Sequence, residues 1–130
     1  MSIKHLEPGE VVAMHDVALA RYGGAAGGGH RGISYAGVEA AVEAVRNSYY
    51  DDLPILAAAY AVYIVQGHVF MDGNKRTAAM AATTFLQYNG VEVVLSDEEI
   101  FEIMFVMQEK SEEGERVDAL IAWVAQELTS

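Results

Sequence analysis

Apolar residues recur at helical spacing along nearly the whole chain. Over residues 7–22, Val11, Val12, His15, Leu19 and Tyr22 fall on one side. Pro8 suits a first helical turn, where a missing N–H costs nothing, and Gly23-Gly24 closes the segment. A second helix is predicted over residues 35–47, with Val38, Ala41, Val42 and Val45 inward. Pro54 is placed to start a third. Residues 55–67 and 77–86 are apolar almost all round, which marks central helices covered on several sides. Ala57, Ala58, Ala59 and Ala78, Ala79, Ala81, Ala82 would let these two approach closely, and Asn89-Gly90 is a helix stop.

Residues 91–95 form a brief β-branched run with no second strand to pair with. Ser96-Asp97-Glu98-Glu99 has the form of a capping box. It should start a helix carrying Ile100, Phe101, Met104, Phe105 and Met107. After the acidic turn at residues 112–115, Val117, Leu120, Ile121, Val124 and Leu128 return at amphipathic spacing. The pattern predicts an all-α fold: one domain over residues 1–130, a compact bundle of about six helices with strand content near zero. Residues 23–32 are glycine-rich but lack the preceding strand that a dinucleotide fingerprint requires, so they read as a surface connection.

Composition narrows the function classes. A 52% hydrophobic content is ample for a core in 130 residues. Eight basic and 19 acidic residues give a net charge of −11, which disfavours direct nucleic-acid binding. The absence of cysteine removes disulfides and thiolate metal sites and fits a cytoplasmic protein. The longest apolar stretch, residues 53–65, is too short to span a bilayer, so no membrane role is expected.

The chemistry is concentrated between the two central helices, in His68-Val69-Phe70-Met71-Asp72-Gly73-Asn74-Lys75-Arg76-Thr77-Ala78. A loop entering a helix can bind anions, because the first N–H groups lack intrahelical partners and point along a favourable dipole. Lys75 and Arg76 stand in that first turn, where the dipole disfavours cations, a placement that makes sense if a polyanion sits between them. Arg76 can clamp two phosphate oxygens with its planar fork, while Lys75 supplies a compact charge. Gly73 permits close backbone approach. Asp72 suits either a helix cap or a metal ligand, and Asn74 either a cap or a phosphate contact. His68 is either a structural histidine or a general base near neutral pH. His15, on an apolar face, reads as a buried structural residue.

The motif resembles the signature of the Fic/Doc family: His, Phe two on, an acid, Gly or Ala, Asn, a variable residue, then Arg. Lys75 at the variable position, followed by Arg76-Thr77-Ala78, is similar to the death-on-curing (Doc) branch. The resemblance extends to His15-Asp16, to Arg21-Tyr22-Gly23-Gly24, and to the stretch from Phe85 through Asn89-Gly90 to Val93. It implies a Fic/Doc-like bundle and a toxin kinase that moves the γ-phosphate of ATP to a protein hydroxyl, elongation factor Tu being the family's target. His68 is then the base, Asp72 holds Mg2+ jointly with the nucleotide, and Gly73, Asn74, Lys75 and Arg76 bind phosphates. In the AMP-transferring Fic branch a Gly commonly stands where this chain has Lys75, leaving an anion hole open.

Two positions depart from the family pattern. Gly73 matches the Fic branch where Doc more typically has Ala, and Ala79 replaces the second Arg of the longer Fic motif. The family's inhibitory helix motif is met only by half, at Ser111 and Glu115. The resemblance also implies a target-aligning flap, so that residues 49–55 are either that flap or a plain helix–helix connection, and a small antitoxin whose segment folds on binding. The apolar helix around Ile100 and Met107 is either a groove for that segment or ordinary core. The alternatives are a Fic-type AMP transferase and a catalytically dormant interaction module.

Overall fold

The computed structural model describes residues 2–22, 34–67 and 73–129. Six helices lie among them: α1 (Pro8–Tyr22), α2 (Tyr35–Arg46), α3 (Leu53–Gln66), α4 (Asn74–Tyr88), α5 (Asp97–Glu112) and α6 (Val117–Leu128). No strand occurs among the described residues. The fold is an all-α bundle, as the periodicity predicts. The glycine-rich connection expected over residues 23–32 lies outside the described residues.

Helix α3 is the axis of the bundle. Residues 56–62 are buried without a break, followed by Ile64 and Val65, because α2, α4, α5 and α6 all pack against it. Its alanines, with Ala78, Ala81 and Ala82 of α4, remove side-chain bulk where the two helices meet, and this is the most extensive helix pair in the fold. The start of α3 falls at Leu53 because the Asp52 carboxylate accepts the Ile55 N–H at 3.2 Å, which places Pro54 in the first turn. At the other end of α4, Gly90 takes a left-handed conformation (φ 78°). The Gly90 and Val91 N–H groups then return to the carbonyls of Gln87 (3.1 Å) and Leu86 (2.9 Å). The Ser96–Glu99 capping box is present in both directions.

Some expected core positions differ. Val12 and Leu19 are half-buried and Tyr22 is exposed, whereas Ala18 joins Val11 and His15 in the interior. Helix α1 is covered chiefly by α2 and α4, so its buried stripe is narrow. The N-terminal segment, which carries no periodicity, packs Leu6 fully into the core. It is pinned by reciprocal bonds between the Lys4 backbone and the Asn89 amide (2.8 and 2.9 Å). Tyr60 adds a second pin, accepting the Leu6 N–H at 3.1 Å.

Candidate active site

The central helices bring the two flanks of the motif together. Helix α3 ends at Gln66, with Gly67 as its cap. Helix α4 begins at Asn74 and runs back along α3. His68, Val69, Phe70, Met71 and Asp72 fall between these ends and outside the described residues, so the structure locates the helix ends that carry them and not their side chains.

Gly73 caps α4 with φ +83°, in the left-handed region. Asn74 is therefore the first helical residue and not the cap. A glycine brings no side-chain acceptor of its own, and the first carbonyl bond of the helix runs from the Thr77 N–H to Gly73 at 2.9 Å. Helix α1 crosses close by: a Cβ on Gly73 would lie 3.4 Å from His15 Cδ2 and 3.6 Å from Leu19 Cδ2. His15 is buried there, as its apolar face suggests. The Thr77 hydroxyl, in the same first turn, is fully buried and bonds no group among the described residues.

Lys75 and Arg76 both lean towards α5. Lys75 Nζ stands 5.4 Å from the centre of the Phe105 ring. The Arg76 guanidinium lies between two aromatic faces, 3.8 Å from the Tyr22 centroid and 3.7 Å from that of Phe101, and its Nη1 donates to Glu98 at 3.0 Å. These partners offset the unfavourable dipole at the helix start. Sequence reasoning missed this clamp. Tyr22 counted there as one more apolar position, and Glu98 as part of a capping box, because neither local pattern reports a contact across three helices.

Two other expectations meet the structure here. In α5, Ile100, Ile103, Met104 and Met107 are buried in the core, which leaves Phe101, Phe105 and Val106 outside it. Ordinary packing thus accounts for that helix. An open groove of about 420 Å³ lies instead between the antiparallel α1 and α4, floored by Met14, Val17, Met80 and Thr83. Arg21 and Arg76 stand at one end, and at the other the Tyr88 hydroxyl donates to Glu10. Among the described residues no group of three or more His, Asp or Glu could hold a metal ion, and no helix is long and apolar enough to cross a membrane.

Comparison with known proteins decides the family. Residues 5–86 match the Fic/DOC family. The protein kinase doc of Escherichia phage P1 is 38% identical over 96 residues, covering 74% of this chain and 76% of the relative. The chain belongs to the Fic/DOC family. The match takes in α1 to α4 nearly whole, so the glycine cap of α4 and the two cations after it lie inside the family region of this Fic/DOC protein.

Proposed function

We propose that this Fic/DOC protein is a Doc-like toxin that transfers the γ-phosphate of ATP to a hydroxyl of a target protein, elongation factor Tu being the target the resemblance implies. The observation that carries the reading is the start of α4. A glycine cap without a side chain is followed at once by Asn74, Lys75 and Arg76, with the motif residues His68 and Asp72 shortly before it in the sequence. Triphosphate oxygens meet backbone N–H groups and fixed cations at such a helix end. His68 takes the proton of the attacking hydroxyl as its oxygen bonds to the γ-phosphorus, while the bond to the β–γ bridging oxygen breaks and ADP leaves. Mg2+, when bound, would neutralise charge on the phosphates, with Asp72 as its protein ligand and phosphate oxygens and water supplying the rest.

Lys75 favours phosphoryl over AMP transfer: the resemblance implies that a Lys at this position fills the space that Gly leaves open in AMP transferases. Incubation of a target with γ-labelled and, separately, α-labelled ATP tests this. Label from the γ position alone, lost in His68→Ala, is the expected result. Label from the α position would establish AMP transfer instead, and toxicity that survives His68→Ala in a folded protein would favour a binding module. An antitoxin segment that folds on binding would find in the α1–α4 groove a floor that includes Met14, Val17 and Met80.

A further inference from the structure

Between α4 and α5, residues 91–95 belong to no helix or strand, and the backbone bends at Leu95. Side chains alternate as on a strand. Val91, Val93 and Leu95 pack against the core, while Glu92 and Val94 face outward, Val94 with 80% of its surface exposed. Both ends are staked, by the Gly90 turn that closes α4 and by the capping box that opens α5. Beyond the Val91 N–H, the backbone groups of residues 92–95 make no hydrogen bond among the described residues. Exposed edges of this kind are usually blunted by charge, Pro or a bulge; residues 91–95 carry a single charge, Glu92, and no Lys or Pro.

Two features indicate what would pair with this edge. A cleft of about 260 Å³ opens beside it, lined by Pro54, Leu86, Val93, Ile100 and Leu128, and can take an apolar side chain. The charges around it are mainly acidic, although Arg76 pairs with Glu98 and Lys4 lies beside Asn89. From residue 77 to residue 109 there is no lysine or arginine, and Glu92, Asp97, Glu98 and Glu99 are all exposed.

We propose that residues 92–95 are a docking edge for an extended, basic segment of a partner protein. The segment adds as a β-strand, seats one apolar side chain in the cleft, and sets its cations against Glu92 and the acids opening α5. This surface is distinct from the α1–α4 groove and independent of the phosphotransfer reading. A second copy of the chain is disfavoured, because pairing edge to edge would bring two such acidic surroundings together on chains of charge −11.

Amide hydrogen exchange tests it on the intact chain, with a ten-residue peptide of alternating valine and lysine as probe and its valine–glutamate counterpart as control. Amides of residues 92–95 should exchange at nearly the free-peptide rate in the protein alone. They should slow roughly tenfold at a peptide concentration about ten times Kd. Val94→Pro removes the Val94 N–H and fixes its φ, and should abolish the slowing while α3 stays protected. Glu92→Lys should weaken the lysine peptide several-fold. Protection already present in the free protein overturns the proposal, as does no slowing at millimolar peptide or equal slowing by the glutamate peptide. Slowing that needs only higher protein concentration would make a second copy the occupant and overturn it as well.

Discussion

Replacing Arg76 by lysine separates a planar guanidinium held between two rings from a simple positive charge. In the folded protein the Arg76 side chain is 21% exposed, with its faces 3.8 and 3.7 Å from Tyr22 and Phe101. Each partly exposed ring contact is worth about 0.5–1 kcal/mol. The ion pair to Glu98 adds little, since Glu98 is 70% exposed and solvent screens it. Lysine keeps the charge and can face one ring, so Arg76→Lys should cost about 1 kcal/mol. For a chain of 130 residues, that corresponds to a fall of about 4 °C in Tm. Urea unfolding followed by far-UV circular dichroism gives the number. A double-mutant cycle with Phe101→Leu assigns it, because the lysine substitution should cost less once one ring is gone. If Arg76→Lys matches the parent, or if the two substitutions simply add, the stacked guanidinium does not hold α1, α4 and α5 together. The same variants report on function: a loss of phosphotransfer well beyond the loss of folded protein would show that the fork also serves the phosphate.

Three further outcomes follow from the structure. His5 Nδ1 lies 2.7 Å from the Tyr60 hydroxyl, and burial, then the nearby Arg46, lowers its pKa below the ordinary 6.5. The unfolded chain therefore binds more protons than the folded one in that window. Stability should be full above about pH 6.5 and fall as pH drops towards the folded value, and His5→Gln should flatten that dependence in urea titrations at pH 7.5 and 5.5. Gly90→Ala should cost about 1 kcal/mol through its φ of 78°, with no clash because nothing lies within 4 Å of the added Cβ; an unchanged unfolding midpoint would contradict the left-handed turn. Lys75→Gly should admit some α-label transfer from ATP, and a folded variant that transfers none would remove the steric account of Lys75.

How much of this was legible beforehand follows a physical line. Val38, Ala41, Val42 and Val45 of α2 are buried as their spacing demands, because one helix with one neighbour-facing stripe writes its environment into its own period. Ser96 and Glu99 likewise declare a helix start within four residues. What escaped the pattern depends on contacts distant in sequence. The N-terminal strap, with Leu6 in the core and His5 on Tyr60, has no period to betray it. The Tyr22–Arg76–Phe101 stack joins three helices, and no window of sequence contains it. Asp52 moved the start of α3 forward because a cap is chosen by whichever carboxylate reaches the free N–H. At the site itself, Lys75 and Arg76 stood out by their unfavourable place beside a helix dipole, a local signal that needs no tertiary knowledge.

A crystal structure with a non-hydrolysable ATP analogue and Mg2+ measures directly the orientation of a triphosphate at the amino end of α4. Phosphate oxygens should lie on the first-turn N–H groups of α4, with the γ-phosphorus facing His68. An α-phosphorus facing His68, or a triphosphate bound away from Gly73 and Asn74, would contradict it.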